Sequence, residues 1–192
     1  MSLAQIRTLG NEVLATPTDD DRQLIEQAKR DRNGFAAVYR QHCGMLLDHV
    51  YRRTGDMHAT EDLVADAFLI AIRSLPRYRY RGVPLRFWLL RIATNVVNRW
   101  ARRRRQRIRV ETQAIPRADS PVSTTVGAID NEHVQHALLS LAPKYQAVLA
   151  LYHLEGLSVK ETAAVIGCRE GTVRSRLSRA RDALREKLKI RR

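Results

Sequence analysis

The sequence predicts an all-α protein built of two small helical domains joined by a flexible linker, the C-terminal one containing a helix-turn-helix. Three observations carry that expectation. Apolar residues recur at three- and four-residue steps through most of the 192 positions, which is the period of a half-buried helix. Glycine and proline are few, nine and six, and no long stretch shows the β-branched alternation of a strand. Between Glu111 and Gly127 the composition shifts to Pro116, Ser120, Pro121, Ser123, Thr124 and Thr125 with little apolar periodicity, as a linker at a domain boundary does. The boundaries are then an N-terminal extension over residues 1–18, a first domain over 19–109, a linker over 110–128 and a second domain over 129–192.

The first helix opens at Asp19-Asp20-Asp21, where acid suits the positive end of a helix dipole, and carries Leu24, Ile25 and Ala28 inward. Asn33-Gly34 is read as its break. A second helix runs from about Phe35 to Arg53 with Phe35, Val38, Tyr39, Leu46 and Val50 inward, and Gly55-Asp56 ends it. Thr60, as N-cap, opens a third helix with Leu63, Ala67, Ile70 and Ala71 on its inner stripe, closing near Leu75-Pro76. Its outward residues Glu61, Asp62 and Asp66 are answered by Arg73 alone, so this face expects either a basic partner or balancing charges within the chain.

From Pro76 to Arg109 there are twelve arginines and no acidic residue, interleaved with Tyr78, Tyr80, Phe87, Trp88 and Trp100. After the breakers Gly82 and Pro84, the residues Leu85, Trp88, Leu89, Ile92, Val96 and Trp100 fall on one face at roughly 100° per residue. Arg91, Asn95, Asn98, Arg99, Arg102 and Arg103 lie off that stripe. Arginines neutralise phosphates, amides reach base edges and aromatic rings stack on unpaired bases, so this helix points to a nucleic acid rather than to a merely solvated face.

In the second domain Val134, Ala137, Leu138 and Leu141 give one helix, stopped at Ala142-Pro143. Tyr145, Val148, Leu149, Leu151 and Tyr152 give the next, ended by Gly156. Ser158 caps a short helix, Val159 to Ile166, and a longer one follows from about Glu170 to Lys189. Ala163 is small where helices approach. Gly167, four residues on, permits a left-handed turn, and Val173, six further, packs the second helix back. Together these have the spacing of a DNA-binding helix-turn-helix. In the second of its helices Val173, Leu177, Ala180, Leu184 and Leu188 face the core. Gly171, Thr172, Ser175, Ser178, Arg179 and Asp182 lie opposite, with Arg174 and Arg176 on the flanks.

A net charge of +14 points to a polyanionic partner, nucleic acid first and an anionic membrane surface a poor second. A membrane span is not expected, because no run approaches the ~20 apolar residues it needs. Cys43 and Cys168, each within a helix-forming pattern, make neither a metal-spaced cluster nor a disulfide framework, which fits a reducing cytoplasm. His133 and His136 share a helix face but no carboxylate or cysteine pair completes a zinc set. No metal, no cofactor and no catalysis are expected.

Two groups of residues resemble one family, the bacterial RNA polymerase sigma factors of the extracytoplasmic-function (ECF) type. The first is DRQLIEQAKRDRNGFAAVYRQH, then GDMHATEDLVADAFLIAIRSL, then YRGVPLRFWLLRIATNVVNRWARRRR. It looks like sigma region 2, the helical domain that binds core polymerase and opens the −10 promoter element. The second, LSVKETAAVIGCREGTVRSRLSRARDALREKL, looks like the −35-reading region 4. The resemblance implies that Glu61, Asp62 and Asp66 dock on the β′ clamp helices of core RNA polymerase, and that region 4 meets the β flap. It implies that the loop of Tyr80, Arg81, Val83 and Leu85 holds a flipped −10 base, with Arg86, Asn95, Asn98, Arg99, Arg102 and Arg103 on the same DNA. Lys160, Thr172, Arg174, Ser175, Arg176, Ser178 and Arg179 would face the −35 element. It also implies a cytoplasmic protein, monomeric when free, that an anti-sigma factor can restrain. Two departures stand out: Arg169 precedes the recognition helix where Ser or Pro is frequent, and Val83-Pro84-Leu85 replaces small polar residues.

The competing expectation is a stand-alone helix-turn-helix transcriptional regulator. Residues 19–109 offer it neither a phospho-acceptor αβ pattern nor a ligand-pocket signature. An RNA-binding protein is a further alternative, and RNA selectivity in binding would support it.

Overall fold

The computed structural model describes residues 19–80, 82–114 and 131–188. Among them the chain forms α1 (Asp19–Arg30), α2 (Arg32–Thr54), α3 (Met57–Ser74), a 3-10 turn (Leu75–Arg77) and α4 (Leu85–Ala114). There follow α5 (Asn131–Ser140), α6 (Pro143–Leu149) running on as a π-helical turn (Ala150–Leu154), α7 (Val159–Ile166) and α8 (Glu170–Lys187), with no strand among the described residues. The N-terminal extension and residues 115–130, most of the expected linker, lie outside the described residues. Before them α4 runs to Ala114, five residues past Arg109.

Local chemistry sets the breaks, and two of them differ from the sequence expectation. The α1–α2 break is Asp31, not Asn33-Gly34: its backbone is extended and its Oδ1 accepts from the Gly34 N–H at 2.7 Å. Gly34 belongs to the first turn of α2, where a Cβ would stand 2.2 Å from the Gln27 carbonyl oxygen, so glycine serves the close approach of α1. Likewise the N-cap of α3 is Asp56, which accepts from the Ala59 N–H at 3.1 Å, and not Thr60. Because the helix starts a turn earlier, Thr60 is buried, its hydroxyl 2.8 Å from that of Thr54.

At the start of α4 the Phe87 N–H donates to the Pro84 carbonyl oxygen at 2.9 Å. The Leu85 N–H donates to Asp21 Oδ2 of α1 at 2.9 Å, a cap supplied from 64 residues away. In the second unit Ser158 and Glu161 form a reciprocal capping box, and Gly167 turns the chain with φ of 77°. Cys168 sits in that turn, not inside a helix, while Cys43 is in α2; both thiols are free.

Helices α1 to α4 enclose a core that includes Ile25, Val38, Leu46, Val50, Ala67, Phe68, Leu85 and Leu89. Phe35 meets Phe68 edge-on at 6.2 Å; the Tyr39 ring lies 4.7 Å from Phe68 although Tyr39 is 47% exposed, because its hydroxyl end reaches water. The C-terminal helices gather Leu141, Val148, Leu149, Ala163, Val173, Leu177 and Ala180, with Leu184 half-buried beside them. Leu188 is also half-buried, and Val134 is on the surface.

These two units are docked. Leu151, Leu157 and Val165 of the second are buried in the same cluster as the residues of α1 to α4. Leu139 presses on Gly55, and Arg105 donates to the Leu141 carbonyl and, at 3.4 Å, to that of Ser140. Consequently α4 is covered on two sides. Besides the expected stripe it buries Leu90, Ala93, Thr94, Val97 and Ala101.

Candidate nucleic-acid interface

What remains uncovered on α4 is a cationic strip. Arg91, Asn95, Arg99, Arg102 and Arg103 are exposed and Asn98 is half-buried at its edge. Successive three- and four-residue steps put Asn95, Asn98, Arg99 and Arg102 on one patch. At the head of the strip Tyr78 and Trp88 stack with centroids 4.4 Å apart, so Trp88 is half-buried rather than wholly core. Arg86 lies half-buried with its guanidinium 4.9 Å from the Phe87 ring. In the preceding loop Tyr80 is half-buried, Gly82 has φ of 69° and Val83 is 43% exposed. Arg81 lies outside the described residues. Leu85, which the resemblance groups with the loop, is a correction: its side chain is fully buried as the first core residue of α4, as its place on the inward stripe predicts, leaving it no surface to offer.

The acidic face of α3 stands beside this strip. Glu61, Asp62 and Asp66 are exposed, and none of them forms an ion pair among the described residues. Asp66 does line a groove of about 410 Å³ with Arg99, Arg103 and Arg107 of α4. Charge balance within the chain therefore acts at a distance there, and Asp62 is left facing solvent.

On α8 the outward residues Arg174, Ser175, Ser178 and Arg179 are exposed, while Thr172 and Arg176 are half-buried. Lys160 is exposed on α7. Arg174 meets Glu170 at 3.2 Å on the open surface, a contact too solvated to hold it from another partner. Arg169 precedes the helix without a side-chain cap, so the first N–H groups of α8 stay available to an incoming anion.

Several polar residues between the units escaped sequence reasoning. His49 is fully buried: Glu155 Oε1 lies 3.1 Å from its Nδ1 and Thr94 Oγ1 3.1 Å from its Nε2. Burial holds its pKa below the ordinary histidine value, with Glu155 opposing the shift. The neutral ring donates from Nδ1 to the carboxylate, which leaves Nε2 to accept from the Thr94 hydroxyl. Arg53 is 1% exposed, with Nη2 donating to Asn98 Oδ1 at 2.6 Å. Desolvation brings its pKa down to about 9, so it remains charged at neutral pH. The signal was present, since Leu46, His49, Val50 and Arg53 share one helical stripe. A polar residue on an inward stripe reads as an exception until its partner is known.

Two family models match the chain: Sigma-70 region 2 over residues 38–107 and Sigma-70 region 4 over residues 132–184. The ECF RNA polymerase sigma factor SigC of Mycobacterium tuberculosis is 39% identical over 131 residues, 67% of this chain and 70% of the relative. BldN of Streptomyces coelicolor, also an ECF sigma factor, is 31% identical over 163 residues, 82% of this chain. The chain spans 62% of the length of BldN. Among solved structures, the sigma factor RpoE of Bartonella quintana, in complex with the anti-sigma factor NepR, superposes with a TM-score of 0.62 at 26% identity. That match covers 82% of this chain and 98% of RpoE. With both regions present in order and a relative 39% identical over 70% of its length, the chain belongs to the ECF family of RNA polymerase sigma factors.

Proposed function

We propose that this chain is a promoter-selecting subunit of RNA polymerase, acting in the cytoplasm, that binds core enzyme, directs it to particular promoters and helps open the −10 region. The observation that carries the reading is the pairing of two differently built cationic surfaces on one chain. The strip of α4 offers amides and arginines beside aromatic rings, which suits unpaired bases. The exposed face of α8 offers Arg174, Ser175, Ser178 and Arg179 at the end of a helix-turn-helix, which suits a major groove. Arg86, Asn95, Asn98, Arg99, Arg102 and Arg103, with Tyr80, Arg81 and Val83, serve the −10 element. Lys160 and Thr172 to Arg179 serve the −35 element.

Glu61, Asp62 and Asp66 give core polymerase a point of attachment on its β′ clamp helices, and the second unit meets the β flap. The chain performs no chemistry; the polymerase supplies the catalytic metal. Since RpoE is held by an anti-sigma factor in its structure, a protein of that kind is a further expected partner. No helix among the described residues is long and apolar enough to cross a membrane. Reconstitution with core polymerase tests the reading. The holoenzyme should form a sequence-specific complex in which thymines near −10 become permanganate-reactive. Tight, specific binding of duplex by a dimer of the free chain, with no gain from core enzyme, would favour the stand-alone regulator instead.

A further inference from the structure

Asn98 sits at the edge of the cationic strip, half-buried, and its carboxamide is not free to turn. Its Oδ1 accepts from Arg53 Nη2 at 2.6 Å. A guanidinium carries only donors, so the amide orientation is fixed by chemistry: oxygen inward, Nδ2 outward. Arg53 itself is anchored at the end of α2 and 1% exposed. Its Nε and Nη1 meet no acceptor among the described residues, and no carboxylate pairs with it there. A buried charge with one hydrogen bond is a poor stabiliser, and apolar replacements of such groups are often neutral or favourable. Its use has to be sought elsewhere, and the one side chain to which it hydrogen-bonds among the described residues is on the proposed DNA-facing strip.

We infer that Arg53 is a positioning residue for promoter reading, locking Asn98 so that it presents only N–H donors to the DNA. This rests on the proposed role of Asn98 at the −10 element. With Oδ1 turned to Arg53, the bidentate grip on adenine, which needs oxygen and nitrogen of the amide facing one base edge, is closed to Asn98. Acceptors remain, best a base keto oxygen such as O2 or O4 of thymine with its two lone pairs, over an adenine ring nitrogen with one. Arg53, which touches no DNA, thereby sets which bases Asn98 accepts.

The test uses holoenzyme on a promoter library randomised through the −10 element, read by run-off transcription. Asn98→Ala identifies the position that Asn98 reads by flattening its preference. At that position Arg53→Met should reduce discrimination between keto-bearing bases and adenine about five-fold or more. Core affinity, −35 selectivity and the Tm of the free chain should hold or, for Tm, rise. Arg53→Lys, still a donor-only cation, should restore much of the preference. Asn98→Asp gives Arg53 a charged partner and removes the outward donors, so it should raise Tm and abolish the preference.

Unchanged preference in Arg53→Met alongside a flattened one in Asn98→Ala would overturn the positioning role while sparing the −10 reading. No effect of Asn98→Ala at any −10 position would remove the reading on which it rests. A large fall in Tm for Arg53→Met with uniform loss at every position, or no rise in Tm for Asn98→Asp, would make Arg53 a packing residue and overturn the inference.

Discussion

At the scale of single residues, chemistry and exposure together separate arginines that read from arginines that attract. Arg179 projects from the face of α8 opposite Val173 and Leu177 and Arg174 from its exposed flank, whereas Arg185 lies further along the helix, 2.9 Å from Asp182. Arg174→Ala or Arg179→Ala in holoenzyme should therefore lower discrimination between cognate and altered −35 elements by about 1–3 kcal/mol. Arg185→Ala should weaken binding evenly on all sequences. Equal behaviour of the three would place the wrong face of α8 in the groove. Buried histidine makes a different prediction. Burial depresses the pKa of His49, so between about pH 6.5 and its folded value the unfolded chain binds more protons. Stability from this site is complete above that window and falls as the pH drops into it. Denaturant unfolding at pH 7.5, 6.5 and 5.5 should show that decline, with a shallower one in His49→Asn, which keeps a donor toward Glu155. Matching slopes would remove His49 as its source.

At the scale of the helix, each element answers two demands, a buried face and a surface task. On α3 Leu63, Ala67 and Ala71 are buried while Asp62 and Asp66 are exposed, so charge reversal there touches no packing. Asp62→Lys with Asp66→Lys should weaken binding to core polymerase at least several-fold and change folding stability little, as surface substitutions do. Retained affinity would return this acidic face to plain charge balance with the arginines of α4. The start of α2 is the opposite case, being all packing. Gly34→Ala should destabilise the chain by about 1–3 kcal/mol in urea unfolding, because its Cβ would enter the Gln27 backbone 2.2 Å away. A neutral result would mean that α1 can shift outward freely. Element boundaries were legible where capping is local, as at Gly55, Ser158 and Gly167. They were misread where two capping residues compete, Asp31 against Asn33-Gly34 and Asp56 against Thr60, because turn chemistry alone does not rank them.

At the scale of the molecule the two units lie against each other, with α7 and the π-helical turn on α2 and α4. The −35 and −10 elements are ~25 base pairs apart, about 85 Å along B-DNA at 3.4 Å per pair. We propose that the docked units part when core polymerase engages both elements. Paired spin labels on exposed positions of α3 and α8, Ala65 and Arg181, should report one defined distance in the free chain and a different one after core polymerase is added. An unaltered distance in the holoenzyme would exclude simultaneous reading of both elements. Replacing Leu139, which packs on Gly55, by Asp should broaden the distances of the free chain without unfolding either unit.

Periodicity, helix punctuation and charge by themselves determined the helical class, the order of the helices, most of the inward stripe of each and the two cationic faces proposed to meet DNA. Those features are local: a three- or four-residue step is set by helix geometry wherever the helix goes. What the tertiary structure decided is whatever depends on a second contact. Asp21 caps α4 from α1, and α4 loses a further side to the second unit. His49, Arg53 and Arg105 become interior groups because partners distant in sequence close over them. One stripe can be read from one helix, but a helix covered on two sides needs both neighbours in place before its polar residues can be sorted into those that hold and those that read.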